Sequence, residues 1–323
     1  MNTLETLWRS YQQGGYEAVR SVALPPTPEN ALPHFYLALL AFGADALPQA
    51  ATWAQAAASA QPDSHVFTQA ARYLQRVQTQ GKAHVYVAGD AFAAFIRGGS
   101  NVALYAAASA ALRERYADYA ALRLLDIGVG DGLALLPALT DNVTALTLVE
   151  PSASMLRKTV QALEARDIPL QTHNMPIQAF IATSAGQQGQ WEIAQATWSL
   201  QSVPPDERPR VLEWMHAHSQ RALIVEFDVP QFSAMFAPER VRYVVERYER
   251  GLAEYAHDGG LVAQGFLMPV MFGYFDRSTE RTNWEGPIAE WADALRAVGF
   301  ADVRAHKLYP YFWADAYLLD AHR

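Results

Sequence analysis

The sequence predicts an α/β protein in which a mostly parallel sheet is covered by helices on both faces and is preceded by an all-helical region. From residue 122 onward, short apolar or β-branched runs alternate with helical segments of about 10 to 15 residues, the rhythm of βαβ units. Residues 1–80 instead contain abundant alanine, with large apolar residues at helical spacing.

The composition excludes several classes of function. Of the 323 residues, 51% are hydrophobic, and 33 acidic against 25 basic residues give a net charge of −8. Without a run of Lys or Arg, neither nucleic acid nor an anionic membrane surface is an expected partner. The absence of cysteine excludes disulfides, thiol nucleophiles and Cys-ligated metal, and no metal site is predicted. Neither a signal pattern nor an apolar run of about 20 residues is present, so a soluble cytoplasmic protein is expected.

The first 80 residues form a predicted helical domain. Pro28 and Pro62 lie 34 residues apart, and each follows a helical stretch, which weakly resembles tetratricopeptide repeats. A helical cap or dimerisation element is favoured over a peptide-binding repeat array, so the N-terminal helices are a candidate homodimer interface. Residues 81–122 are interpreted as a helical connector that covers the cofactor, and they end in the strong helix NVALYAAASAALRERYADYAAL.

The predicted sheet domain spans residues 123–323. Apolar and β-branched runs predict strands at 123–128, 143–150, 169–174, 191–198 and 221–229. Helix start and stop signals predict helices at 151–166 and 287–300. An aromatic-rich helical insertion at about 230–285 interrupts the alternation of strands and helices, and two closing strands end the domain.

The first strand runs into the stretch LLDIGVGDG. A dinucleotide turn requires glycines in the spacing G-x-G-x-x-G, with the third glycine allowing close packing below a pyrophosphate. Here the glycines are Gly128, Gly130 and Gly132, and Leu133 occupies the expected third position. This spacing argues against a pyrophosphate.

Acidic residues surround the turn. Asp126 precedes the glycines and Asp131 lies among them, which disfavours a phosphate and favours a cation. S-adenosylmethionine satisfies this requirement, since it carries an ammonium and a sulfonium but no phosphate. Glu150 ends the second strand, 20 residues past Gly130, where an acid can bind both ribose hydroxyls of either cofactor type.

Together, LLDIGVGDG, LTLVEPSASML and SLQSVPPDER resemble the motifs of class I S-adenosylmethionine-dependent methyltransferases of the small-molecule type. The resemblance covers about residues 122–228 and, more loosely, 287–323. It implies a Rossmann-like fold and S-adenosyl-L-methionine as the cofactor.

The resemblance also implies a set of cofactor-binding residues. The methionine part would lie at Asp126, Gly128 and Gly130, and the ribose at Glu150. Met155, Asn174 and Met175 occupy the places that flank the adenine, and Thr197 lies beside the expected methyl position. One departure concerns Gln201 and Ser202, where family members often carry histidines, so a base from that segment is missing.

The insertion is interpreted as a lid that excludes water from the substrate. The candidates for a general base are His257, Tyr248, Glu226 and His306. The candidates for substrate binding are Arg247, Tyr255, Tyr274 and Trp284.

The leading hypothesis is methyl transfer to a small molecule of specialised metabolism. The alternatives are C-methylation beside the keto group of a 2-oxo acid, methylation of a protein or peptide that docks on the helical N-terminus, a non-catalytic cofactor-fold protein acting through its helical region, and a nicotinamide oxidoreductase. The sequence leaves the acceptor atom open.

Overall fold

The structure is a computed structural model that describes residues 3–82 and 89–323. Two compact units make up the chain. The helical unit comprises Met1–Asn101 and Phe232–Glu280, and the sheet unit comprises Val102–Gln231 and Arg281–Arg323. Among the described helices, none has the length and apolar character needed to cross a membrane.

The described elements confirm the predicted alternation of strands and helices. The helices are α1 Thr3–Gly14, α2 Ala31–Gly43, α3 Leu47–Ala60, α4 His65–Gln80, α5 Gly89–Ile96, α6 Asn101–Tyr116, α7 Leu135–Ala138, α8 Ala153–Leu163, α9 Ile177–Phe180, α10 Ser184–Gln188, α11 Arg208–His218, α12 Pro238–Glu254, α13 Met268–Gly273 and α14 Ile288–Ala297. The strands are β1 Leu122–Ile127, β2 Val143–Val149, β3 Leu170–His173, β4 Trp191–Thr197, β5 Ser219–Phe227, β6 Asp302–Pro310 and β7 Asp315–His322.

The core of the helical unit is built around α2, which is buried on nearly all sides. An all-round apolar helix of this kind must be covered by other helices, and α2 contacts α1 and α3. In turn, α4 packs on α3. Residues 83–88 of the predicted connector lie outside the described residues, and most of α6 belongs to the sheet unit.

The insertion between β5 and α14 belongs to the helical unit. Glu249 of α12 accepts hydrogen bonds from the backbone nitrogens of His65 and Val66, at 2.6 and 3.0 Å, and so caps the start of α4. The hydroxyl of Tyr36 donates to the carbonyl of Phe236 at 2.8 Å. These boundaries differ from the predicted 123–323 domain with its lid, since chain position alone does not reveal which surface buries the apolar stripe of α12.

The sheet has the order β3-β2-β1-β4-β5-β7-β6. Strands β1 to β5 pair in parallel, and β7 pairs antiparallel with both β5 and β6. The predicted doubly wound α/β fold with a closing hairpin is therefore confirmed. From β1 the chain moves outward to β2 and β3 and then returns to the other side of β1 as β4, so the topological switch point lies between β1 and β4, where open sheets of this type bind ligands.

Helices cover both faces of the sheet. On the α6 face, Leu122 and Leu124 of β1 pack in one apolar cluster with Tyr116. On the opposite α11 face, Leu125 and Ile127 pack in a second cluster with residues of α11 and α14. Because strand side chains alternate between faces, each polar side chain at a strand end can be assigned to one face or the other.

Candidate functional site

The glycine turn after β1 brings two backbone segments unusually close. Gly128 has a φ of +71°, a left-handed conformation that favours glycine. A β-carbon at Gly128 would lie 2.4 Å from the Cβ atom of Ser199, which follows β4. The Ser199 hydroxyl donates to the carbonyl of Ile127 at 2.6 Å. The end of β1 and the segment after β4 therefore meet at the switch point with no room for a side chain.

Gly130 is held in place at both of its backbone polar groups. Its N–H donates to Oε2 of Glu150 at 2.9 Å, and its carbonyl accepts from the hydroxyl of Thr159 at 2.8 Å. Oε1 of Glu150 accepts from the N–H of Ser152 at 2.7 Å. The Met155 sulfur lies 4.0 Å from the position of a β-carbon on Gly130. Glu150 thus shapes the turn, and each of its oxygens retains a second lone pair for a ligand.

Asp126 is the more deeply buried of the two acids at the turn, with 3% of its surface exposed against 6% for Glu150. Its Oδ2 accepts a hydrogen bond from Nε2 of Gln195 at 2.7 Å, whereas its Oδ1 is buried without a partner. Burial, together with the nearby charge of Glu150, raises the pKa of Asp126 to about 7. A carboxylate with one unmatched buried oxygen suits a positively charged or hydrogen-bond-donating ligand.

Asn174 and Met175, which follow β3, have different surroundings. The amide nitrogen of Asn174 donates to the carbonyls of Glu150 and Pro151, at 2.8 and 2.9 Å. The amide oxygen therefore remains as the acceptor, as an adenine amino group would require. Met175 packs against the apolar cluster on the α11 face, which makes it a core contact.

The end of β4 combines strain with unmet polar groups. The Thr197 hydroxyl and the Trp198 indole nitrogen are both buried without a hydrogen-bond partner. Trp198 has a φ of +50°, which is rare for a bulky residue and marks a constrained position. Its ring stacks on Phe227 at 5.5 Å, and Phe227 stacks on Tyr311 at 5.3 Å, both between ring centroids. An aromatic row thus borders this edge of the sheet.

Unmatched polar atoms of the sheet unit concentrate at this one edge. Among the described residues of the unit, buried side-chain atoms without a partner belong to Asp126, His173, Thr197, Trp198 and Gln201. Each of these residues lies at the carboxyl end of a parallel strand or within four residues after it. Buried polar groups are otherwise paired in native proteins, so their clustering here indicates a ligand site.

Glu226, a candidate base, lies on the α11 face, because it alternates with Val225 and Phe227 along β5. It accepts a hydrogen bond from the backbone nitrogen of Gln201 at 3.1 Å. Burial raises its pKa to about 8. This carboxyl therefore anchors the turn after β4 and does not share the face of Asp126.

The segment after β4 replaces the expected histidines with a structural glutamine. Nε2 of Gln201 donates to the carbonyl of Trp198 at 3.2 Å. The backbone carbonyl of Gln201 accepts from the backbone nitrogen of Trp284 at 2.8 Å. Trp284, a candidate for substrate binding, therefore lies beside the turn after β4. His306 lies in β6, with β7 between it and β5.

The remaining candidates belong to the helical unit. The Tyr255 hydroxyl donates to the carbonyl of Phe95 at 2.8 Å and accepts from Asn101 at 3.1 Å, so it serves a structural contact. Tyr248 is buried in α12. His257 is exposed. The candidates Arg247 and Tyr274 each take part in a cation–π contact. The guanidinium carbon of Arg247 lies 5.1 Å from the ring centroid of Tyr243, and that of Arg240 lies 6.0 Å from the ring centroid of Tyr274.

Sequence reasoning missed Gln195, Tyr116, Ser199 and Thr159. A signal existed for Gln195 alone, as a polar residue within the apolar run WEIAQATW. The others act through contacts between elements distant in sequence, which no local pattern reveals.

Neither a protein-family model nor a curated protein matches the chain. Several solved structures are similar to this chain. The magnesium protoporphyrin IX methyltransferase of Synechocystis PCC 6803, with bound S-adenosylmethionine, is 12% identical, with a TM-score of 0.47, and the match covers 81% of this chain and 97% of that one. The 1,6-didemethyltoxoflavin-N1-methyltransferase of Burkholderia thailandensis is 17% identical, with a TM-score of 0.43, and the match covers 67% and 76% of the two chains.

Proposed function

We propose that this protein transfers a methyl group from S-adenosylmethionine to a small-molecule acceptor. One observation carries the proposal: a buried carboxylate with an unpaired oxygen, Asp126 Oδ1, lies directly before a left-handed glycine turn at the switch point of the sheet. At Gly130, where the nearest atom to a β-carbon position is 4.0 Å away, a ligand can approach the backbone closely. The carboxylate favours a ligand with an ammonium group.

The same electrostatics disfavour a dinucleotide. Asp126 and Glu150 are both buried at the turn, with 3% and 6% of their surfaces exposed. A pyrophosphate would place negative charge beside these two carboxylates in a poorly screened environment. S-adenosylmethionine has no phosphate, so its ammonium and ribose hydroxyls are matched by the acceptors that are present.

The residues at the strand ends fit the parts of this cofactor. Asp126, Gly128 and Gly130 would hold the methionine part, and Glu150 the two ribose hydroxyls through its second lone pairs. Asn174 would accept from the adenine amino group through its amide oxygen. Met155, beside Gly130, would flank the adenine, and Thr197 would lie near the methyl group; Met175 contributes packing.

When bound, S-adenosylmethionine supplies a methyl carbon already activated by a sulfonium. The contribution of the chain is then to orient the acceptor and to exclude water, and orientation alone can lower a barrier by about 7 kcal/mol or more. The aromatic row of Trp198, Phe227 and Tyr311 provides an apolar wall at this edge of the sheet. Such a reaction requires no elaborate catalytic group.

The identity of a general base remains a proposal. Among the candidates, Glu226 would be mainly protonated at neutral pH, because its pKa is raised to about 8. It therefore suits hydrogen-bond donation better than proton abstraction. His257, Tyr248 and His306 remain candidates, and Arg247, Tyr274 and Trp284 remain proposed substrate contacts. Tyr255 would offer a substrate only its ring, because its hydroxyl bonds Phe95 and Asn101.

The broader setting is also part of the proposal. The net charge of −8 supports a small-molecule acceptor over nucleic acid. A role in specialised metabolism, a cytoplasmic location and a homodimer through the N-terminal helices remain predictions from the sequence.

Isothermal titration calorimetry tests the function directly. We expect S-adenosylmethionine and S-adenosylhomocysteine to bind with dissociation constants below about 1 mM, and NADH not to bind. The Glu150→Ala variant should lose affinity for both ligands, since Glu150 holds the turn as well as the ribose. Binding of NADH but not of S-adenosylhomocysteine would refute the proposal.

A further inference from the structure

A chain of three buried polar side chains links α6, β4 and β1. The Tyr116 hydroxyl donates to Oε1 of Gln195, and Nε2 of Gln195 donates to Oδ2 of Asp126 at 2.7 Å. Tyr116 and Gln195 are 0% exposed and Asp126 is 3% exposed. Tyr116 belongs to the apolar cluster of the α6 face, and strand alternation places Asp126 beside Leu124 and Gln195 beside Ile193 on that face. Each polar group there needs a partner.

The hydrogen bonds of the chain have a definite direction. Because the tyrosine hydroxyl donates to the amide oxygen, the amide nitrogen of Gln195 must face the carboxylate. The reverse amide orientation would place Oε1 of Gln195 against an oxygen of Asp126 and would require Asp126 to be protonated. In the observed orientation, Tyr116 satisfies the amide oxygen of Gln195 while the amide nitrogen supports an ionised carboxylate.

The chain ends on an atom without a partner. Every link from Tyr116 to Oδ2 of Asp126 is satisfied, whereas Oδ1 is buried and unpaired. A polar network closed within the protein would leave no such atom, since an unmatched buried acceptor is costly. The unpaired oxygen thus belongs to the residue that comes two positions before Gly128, the first glycine of the turn.

We propose that Gln195, held by Tyr116, is a positioning residue that occupies one oxygen of Asp126 and presents the other to the ammonium group of the cofactor. This inference rests on the proposed function, because it assigns a ligand group to Oδ1. Gln195 touches Asp126 and acts on the ligand through it.

The test compares two ligands that differ by one group. S-adenosylhomocysteine carries the amino group, and its deamino analogue lacks only that group. We expect the native protein to prefer S-adenosylhomocysteine by about 10- to 100-fold, the range of a hydrogen bond to a charged group. In the Gln195→Met variant this preference should fall to less than about threefold, with affinity for the deamino analogue retained.

The outcomes separate the inference from the proposed function. If the native protein binds neither ligand, the proposed function fails. Three results would overturn the inference alone: the native protein binds both ligands equally, the preference persists in Gln195→Met, or that variant weakens both ligands by the same factor, as a purely structural role would.

Two further variants complete the experiment. Tyr116→Phe keeps the ring in the core and removes only the hydroxyl, so it should lower the ligand preference partially. It also serves as the test should Gln195→Met fail to fold. Gln220→Met, an exposed position at the start of β5, is the matched control and should leave the preference unchanged.

Discussion

The two units of this chain use two carboxylates in opposite ways, the partly buried Glu249 and the buried Asp126. In the helical unit, Glu249 accepts from Ser64 Oγ, His65 N and Val66 N at 2.6 to 3.0 Å, so its charge is fully matched by the helix that it caps. In the sheet unit, Asp126 has a partner on one oxygen only. A matched carboxylate stabilises a fold, whereas an unmatched buried one is costly, and we propose that a ligand matches Asp126.

Among the proposed substitutions, replacement of Gly128 should have the largest effect on stability, because Gly128 has the least room for a side chain in the glycine turn. Gly128→Ala introduces a left-handed alanine whose β-carbon would meet Ser199, and we expect a loss of about 3 kcal/mol in the free energy of unfolding. Gly130→Ala is the matched control, with a φ of +59° and its nearest neighbour at 4.0 Å, and should lose about 1 kcal/mol. Urea unfolding measures both, and equal losses would contradict the steric explanation.

Removal of the unmatched charge should affect binding rather than folding. Asp126→Asn is expected to weaken S-adenosylhomocysteine about 100-fold, because the ligand ammonium loses its buried counter-charge. Its melting temperature should not fall, since the substitution also removes an unpaired buried carboxylate. The exposed Asp141→Asn serves as the control for both measurements. Native-like affinity in Asp126→Asn would show that the ammonium is bound elsewhere.

Removal of the matched charge of Glu249 should affect folding rather than ligand binding. Glu249→Gln weakens the cap of α4, and we expect a loss of about 2 kcal/mol in the free energy of unfolding. Glu246→Gln, one turn earlier in α12, breaks an exposed pair with Arg250 and should change little. If the two variants unfold at the same urea concentration, the cap does not stabilise the helical unit.

The smallest effect concerns pH. A cationic ligand binds the ionised form of Asp126, whose pKa is raised to about 7 by burial. Affinity for S-adenosylhomocysteine should therefore rise with pH by up to about tenfold per pH unit below 7 and level off above it. Asp126→Asn should abolish the rise, and Glu226→Gln should retain it. A profile with its midpoint near 8 that disappears in Glu226→Gln would assign the titration to Glu226 instead.

Local sequence patterns were sufficient to predict the parallel strands and the glycine turn that follows β1. The five parallel strands are marked by apolar runs, and the carboxyl ends of parallel strands must meet at one edge, so Asp126, Glu150 and Thr197 could be placed there in advance. Their hydrogen-bond partners could not, because Gln195, Thr159 and Ser199 reach the turn from other elements.

The surroundings of the candidates for substrate binding and for a general base were harder to predict from the sequence. Tyr255 has the residue type of a substrate contact, yet its hydroxyl is engaged by Phe95 and Asn101 within the helical unit. Glu226 ends a strand as a ligand-binding acid would, but the alternation of β5 places it on the α11 face. Residue type and chain position do not specify which surface a side chain will meet.

By itself, the sequence determined the fold class, the order of strands and helices, and the acidic character of the glycine turn, because periodicity and turn chemistry are local properties. The tertiary structure alone decided that the insertion joins the N-terminal helices, that Glu150 holds Gly130, and that Tyr116 and Gln195 leave one oxygen of Asp126 unpaired. Those features depend on contacts between residues that are distant in the sequence, such as Tyr36 and Phe236, which are 200 residues apart and which only the packing of elements brings together.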